Sequence, residues 1–355
     1  MKGELFDSLK SICRAPATCS PPPISNLQFA AAKFLFFNER MACSEKVYTL
    51  DDLRAWTRRE PSFAVLGKPI AHSLSPKMHN AAFAAARERR PELAEYRYFR
   101  FEIAPEELAD ALPLFFEKNF HGLNLTIPHK VAALPVLKKL SPEAEIIGAA
   151  NTLVRDDALG GWRGENTDGR GFARAAEMQL GVRLAGTHVV LLGAGGAARA
   201  IAATALAQNC ASLTIVNRSR ERAEALVGAL AQSQMPDREC RIFSPDEIRN
   251  PGFKICDSRE SALVVNATSL GLKPDDPSPF PPELLKNGIA VYDTTYGSHT
   301  SALVAAARER GVPAADGRSM LAWQGALAFE RWTALPAADT FPAADTFPVM
   351  FRELS

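Results

Sequence analysis

Residues 189–198 read Val189-Val190-Leu191-Leu192-Gly193-Ala194-Gly195-Gly196-Ala197-Ala198 and run on into an alanine-rich stretch that favours helix. An apolar run, a glycine turn and a helix former, in that order, make the strand, turn and helix of a dinucleotide phosphate loop. Glycine at the first two spaced positions permits the tight turn and lets backbone N–H groups approach a pyrophosphate. The small Ala198 in the third slot permits close packing of helix on strand. The same residues would also serve an ordinary βα turn, and it is the flanking strand and helix that favour the nucleotide.

The end of the next strand decides which dinucleotide. That apolar run, Leu213-Thr214-Ile215-Val216, leads into Asn217-Arg218-Ser219, where an NAD site carries an acidic residue for the ribose 2′-hydroxyl. No carboxylate stands there. Arg218, with Arg222 four residues on, instead offers two guanidinium groups whose charge and geometry suit a 2′-phosphate. Each arginine alone reads as a solvated residue at a helix start. Together, at the position of the missing acid, they predict NADP.

The chain of 355 residues is long enough for two domains, and 47% hydrophobic with 23% charged residues fits a soluble globular protein. A net charge of +1 argues against nucleic acid or an anionic membrane as partner. The cysteines, at 13, 19, 43, 210, 240 and 256, show no Cys-x-x-Cys pair and no accompanying histidine cluster. Neither disulfides nor a metal site are expected, which fits a cytoplasmic protein. The apolar run at 29–37 is interrupted by Lys33, is too short to span a bilayer and lacks a secretory cleavage signal. Residues 1–45, with Pro21-Pro22-Pro23, read as a poorly ordered N-terminal extension, and Met41 is an alternative start that N-terminal sequencing would test. Pro-Ala-Ala-Asp-Thr-Phe at 336–341 recurs at 342–347, within a C-terminal tail of residues 336–355. One tandem copy cannot build a repeat fold, so it reads as a duplication without chemistry.

Between the extension and the glycine loop, apolar runs at 63–67, 98–103 and 123–127 alternate with helical patterns at 78–88 and 105–116. This predicts an α/β layer with a mostly parallel sheet, with further strands at 151–155 and 161–163 and a helix from 169 to about 178. In the loop after the first run, Ser73 and Ser75 lie two apart, so in extended chain both hydroxyls share a side. Pro76 suits a first helical position, and the helix N-terminus adds positive potential. The pair makes a carboxylate clamp; Ser75 as a plain N-cap is the simpler account, but it leaves Ser73 without a role. Lys130 falls in the first turn of a helix, where its charge opposes the macrodipole. Asp168 sits at a strand-to-helix junction, where a plain cap is the alternative.

Ser-Leu-Ser-Pro at 73–76, Asn-Leu-Thr-Ile-Pro-His-Lys at 124–130, Ala-Asn-Thr-Leu at 150–153, Asn-Thr-Asp-Gly at 166–169 and the loop at 193 occur in this order. Asn-Ala-Thr-Ser at 266–269, Tyr296 with Thr300, and residues 317–324 continue the series. In these motifs, from about residue 63 to 332, the chain resembles the shikimate dehydrogenase family. The resemblance implies reversible NADPH-dependent reduction of 3-dehydroshikimate to shikimate, on the route to chorismate and the aromatic amino acids. It implies a substrate-binding catalytic domain at 46–168, completed by 318–335, and a Rossmann NADP-binding domain at 169–317. Ser73 and Ser75, closed over by Tyr296, would hold the substrate carboxylate; Thr126, Asn151 and Gln324 would bind ring hydroxyls; Lys130 and Asp168 would flank the reacting carbon. Gly193, Ala194, Gly195, Gly196 and Ala197 would cradle the pyrophosphate. Asn217, Arg218, Ser219 and Arg222 would take the 2′-phosphate end, and Thr268, Gly317 and Met320 would complete the cofactor site.

Elementary chemistry supports the central pair. Hydride arriving at a carbonyl carbon leaves negative charge on oxygen, so the site needs a positioned proton donor. Protonated Lys130 would serve reduction and neutral Lys130 oxidation. Gln324 shares a helix face with Met320, Leu321, Leu327 and Ala328, and a polar side chain there needs a partner. Where the family often has Thr-Pro, this chain has Thr300-Ser301. His72, His79 and His129 adjoin the motifs and are expected to pack or hydrogen-bond rather than catalyse. Alternatives are a quinate/shikimate dehydrogenase with broader substrate and cofactor use, or a noncatalytic NADP-binding sensor. The expected partners are small molecules, with the chain a monomer or homodimer.

Overall fold

The computed structural model describes residues 46–232, 239–250, 252–255, 260–333 and 342–354. The expected extension at 1–45 and the first hexapeptide copy lie outside the described residues.

The N-terminal strands β1 (Val47–Tyr48), β2 (Ser62–Gly67), β3 (Arg97–Glu102), β4 (Phe120–Leu125), β5 (Lys139–Leu140), β6 (Thr152–Asp156) and β7 (Gly161–Glu165) form one sheet in the order β1-β3-β2-β4-β6-β7-β5. Pairings are parallel except that β6 runs antiparallel to β4 and β7. Every residue of β2 is buried, as a central parallel strand covered on both faces requires. β4 stops two residues short of the expected end because Pro128 has no N–H with which to extend the ladder.

Phe63, Val65 and Tyr98 on one sheet face pack against Met78 and Phe83 of the Ser75–Ala86 helix and Ala326 and Phe329 of the Arg318–Trp332 helix. Phe347 and Met350 of a last helix, Ala343–Arg352, join the same core. The expected tail at 336–355 is therefore corrected in its second half, where the second hexapeptide copy supplies the first turns of this helix. Its buried residues Ala343, Thr346, Phe347 and Met350 fall at helical spacing, a stripe that only emerges when the repeat is read on into 348–352. The Phe347 ring stacks on Trp323 at 4.1 Å. Burial of such a side chain stabilises by roughly 1.5–3 kcal/mol.

The second sheet contains β8 (His188–Leu192), β9 (Ser212–Val216), β10 (Cys240–Phe243), β11 (Ala262–Asn266), β12 (Ile289–Asp293) and β13 (Ala314–Ala315), all parallel, in the order β10-β9-β8-β11-β12-β13. This is the doubly wound nucleotide-binding order, whose reversal point lies between β8 and β11. Side chains alternate between two cores. Val189, Leu191, Ile215 and Val265 face one, and Val190, Leu192, Val216 and Val264 the other. The Asp168–Leu180 helix enters the first of these cores through Phe172 and Ala176. The Arg318–Trp332 helix touches it through Met320 and then packs on the N-terminal sheet through Ala322, Ala326 and Phe329. Among the described residues, no helix is long and apolar enough to cross a membrane.

Candidate active site

Past β4 the chain turns through Thr126, Ile127 and Pro128 into a single helical turn, His129–Ala132, that carries Lys130. The Lys130 carbonyl accepts the Ala150 N–H at 2.8 Å, which fixes the turn. The Lys130 amine donates to Asp168 Oδ2 at 2.6 Å across 38 residues of sequence, with side chains only 15% and 4% exposed. Asp168 opens the Asp168–Leu180 helix, whose N-terminal potential favours a carboxylate. The lysine's unfavourable position in its own helical turn is thus answered by an acid from another element.

The second carboxylate oxygen, Oδ1, accepts from Asn151 Nδ2 at 2.9 Å. That amide nitrogen also lies 2.9 Å from Thr167 Oγ1 and 3.2 Å from Gln324 Oε1. Asn151 Oδ1 takes the Thr167 backbone N–H at 2.8 Å, a bond only the oxygen can make, so the amide has one orientation. Behind it, the Thr152 hydroxyl donates to Asn151 Oδ1 at 3.0 Å and accepts from Asn124 Nδ2 at 3.1 Å. Asn124 Oδ1 accepts from the Tyr98 hydroxyl at 2.7 Å. A buried polar chain therefore runs from Tyr98 to Lys130. Asn124, Thr152, Thr167 and Tyr98 are not among the site residues expected from the sequence. The available signal was a polar Asn124 inside a buried strand, which needs partners.

Gln324 is buried in its apolar stripe, and both ends of its amide are satisfied: Oε1 by Asn151 and Nε2 by the Leu321 carbonyl at 2.8 Å. Ser75 is not an N-cap. Leu74 occupies that position, without a side-chain cap bond, because Ser75 already has helical geometry ahead of Pro76. The Ser75 N–H instead donates to Ser73 Oγ at 3.3 Å, and the Ser75 hydroxyl adjoins the Tyr98 phenol. Burial raises that phenol well above its ordinary range and pushes Tyr296 up to about 12. Both phenols therefore stay neutral hydroxyl donors at neutral pH. Thr126 is half-buried beside Gly67. Among the described residues, no hydrogen bond joins Thr126, Ser73 or Tyr296 to the Lys130–Asp168 cluster. His79 stacks on Tyr98 at 4.3 Å, and burial brings its imidazole down to about 3; His129 Nε2 lies 2.8 Å from the Ile103 carbonyl. Both pack or hydrogen-bond, and His72 is exposed.

The glycine loop reaches this cluster directly. Gly193 has φ of 108°, a conformation that side-chain-bearing residues avoid, and its N–H bonds to the Val216 carbonyl at 2.8 Å. Gly195 caps the Gly196–Ala207 helix. A Cβ added to Gly196 would lie 2.9 Å from Lys130 Cβ and 3.1 Å from its Cδ, so the glycine loop packs on the stem of the lysine. Ala194 and Ala197 flank these positions half-buried. Thr268, past β11, places its methyl 3.3 Å from where a Gly193 Cβ would fall. Gly317 caps the returning helix, and the buried Met320 donates its N–H to the Tyr292 hydroxyl at 3.1 Å.

After β9, Asn217 Nδ2 donates to the Ser219 carbonyl at 2.7 Å, and Ser219 Oγ caps the Arg220–Ala231 helix by accepting the Arg222 N–H at 3.3 Å. Arg220 is held by Glu224 at 3.0 Å. Arg218 and Arg222 are exposed and, among the described residues, form no ion pair. A glycine-lined helix N-terminus together with two uncommitted guanidinium groups fits a dinucleotide bearing an extra phosphate.

Comparison with known proteins agrees with this geometry. Residues 65–153 match the family model of the shikimate dehydrogenase substrate binding domain, and residues 174–241 that of shikimate / quinate 5-dehydrogenase. A shikimate dehydrogenase (NADP(+)) from Moorella thermoacetica is 42% identical over 276 residues, 77% of this chain and 88% of that one. The chain belongs to the shikimate dehydrogenase family. Among solved structures, shikimate 5-dehydrogenase from Thermus thermophilus, in complex with NADP(H) and shikimate, is 35% identical with a TM-score of 0.65, covering 83% of this chain and 100% of that one. Quinate dehydrogenase from Corynebacterium glutamicum, in complex with NAD, is 27% identical with a TM-score of 0.67, covering 82% and 98%. The shikimate dehydrogenase matches span both sheets of this chain, the first running from β2 to β6 and the second ending in β10.

Proposed function

We propose that this chain is an NADP-dependent shikimate dehydrogenase, reducing 3-dehydroshikimate reversibly to shikimate in the cytoplasm, as a monomer or homodimer. The observation that carries the reading is the 2.6 Å Lys130–Asp168 pair with the lysine stem against Gly196 of the phosphate loop. Residues 46–168, with the returning helix, form the substrate domain, and 169–317 the NADP domain. The dinucleotide supplies the hydride. Lys130 Nζ gives its proton to the ketone oxygen as negative charge develops there, while Asp168 Oδ2 holds the amine in place. Thr126, Gln324 and Asn151, the last fixed by Thr167, take the ring hydroxyls. Ser73, Ser75 and Tyr296 take the carboxylate. Gly193 to Ala197 carry the pyrophosphate, Asn217, Arg218, Ser219 and Arg222 the 2′-phosphate, and Thr268, Gly317 and Met320 line the remainder of the cofactor site.

Initial rates with shikimate and quinate, each with NADP and NAD, test this. Shikimate with NADP is expected to give the highest kcat/KM of the four pairs. Preference for quinate with NAD would make the chain a quinate dehydrogenase, and turnover with no pair would make it a sensor.

A further inference from the structure

Asp293 ends β12 and is only 1% exposed, a buried carboxylate to which the proposed chemistry gives no task. Its Oδ1 accepts from Asn266 Nδ2 at 2.9 Å, the Thr295 N–H at 2.9 Å and the Thr295 hydroxyl at 2.8 Å; its Oδ2 accepts from the Ser301 hydroxyl at 2.6 Å. Burial raises the carboxyl above its usual range, and these four bonds oppose that shift. Because a buried charge is weak evidence for stability, its use is better sought in what it orders.

Each donor leads to a different part of the site. Asn266 ends β11, and its Oδ1 accepts both the N–H and the hydroxyl of Thr268, at 3.0 and 2.7 Å. The Thr295 carbonyl accepts the Gly317 N–H at 2.9 Å at the start of the returning helix. Ser301 caps the Ala302–Glu309 helix by accepting the Val304 N–H at 3.3 Å. Tyr296 stands between the two anchored residues Thr295 and Ser301.

We infer that Asp293 is a positioning residue that sets the cofactor-side residues Thr268 and Gly317 and the substrate-side Tyr296 in one register, so that both binding sites depend on a single carboxylate. The inference rests on the proposed roles of Thr268, Gly317 and Tyr296. Asp293→Asn keeps the size and the Oδ1 acceptor but removes the charge and places an amide nitrogen against Ser301. It is expected to raise KM for both shikimate and NADP, each roughly three- to thirtyfold, with a smaller change in kcat. Ser301→Ala is expected to raise KM for shikimate alone, and Asn266→Ala that for NADP alone. A purely structural role would not split the two Michaelis constants in this way. A folded Asp293→Asn enzyme with both KM values unchanged overturns the inference. If that variant fails to fold, the two arms decide: selective rises support the coupling, and unchanged or unselective KM values overturn it. Tyr296→Phe and Thr268→Ala test the underlying roles separately. Unchanged KM values in both would overturn those roles and the coupling with them, whereas raised values beside an inert Asp293→Asn would overturn the coupling alone.

Discussion

Lys130→Ala is expected to lower kcat for shikimate oxidation by about 10²- to 10⁴-fold, the usual contribution of a positioned general acid–base group. Among the described residues, this amine is the one cation in hydrogen-bond contact with Asp168, and its stem also packs on Gly196. Its loss leaves the phosphate loop, Asn151 and Gln324 in place, so KM for NADP and shikimate should change far less than kcat. An interaction made mainly in the transition state gives that pattern. Steady-state kinetics on a variant of unchanged circular dichroism would check this, and near-normal turnover would remove Lys130 from the chemistry.

The second large effect concerns the cofactor. Arg218→Ala/Arg222→Ala is expected to raise KM for NADP by roughly 10- to 100-fold while leaving NAD use nearly unchanged. Hydrogen bonds to charged groups contribute about 1.5–3 kcal/mol each, and exposure of both arginines brings the pair below the sum of two such bonds. Tenfold corresponds to about 1.4 kcal/mol. Arg220 provides the internal control, since Glu224 already holds it at 3.0 Å; Arg220→Ala should leave the NADP to NAD preference unaltered. Equal losses with NADP and NAD in the double variant would show that the arginines do not read the 2′-phosphate.

The parts of this fold that depend on neighbouring residues were legible in the sequence. The strand, glycine turn and helix at 189–198 and the arginines after β9 are local patterns, and each stands where it was expected. The pairing of Lys130 with Asp168 was not legible from spacing, because it depends on the strand order of the N-terminal sheet, in which β6 alone separates β4 from β7; only the family resemblance put the two residues together. Asn124 and Thr152 escaped notice because a polar residue within a strand run does not reveal which partner satisfies it. Ser75 resembles a cap because sequence does not distinguish the last non-helical residue from the first helical one. The final helix was hidden by its own repeat, whose apolar stripe needs Met350 to become visible.

Whether Lys130 and Asp168 act as one unit is decided by a double-mutant cycle in kcat. Lys130→Ala, Asp168→Ala and the double variant, each checked for folding, would be compared with the unmodified chain. The double variant is expected to be about as slow as Lys130→Ala alone, as residues working together show. Penalties that multiply in full would mean that the two side chains act independently, and the 2.6 Å contact would not be the catalytic arrangement.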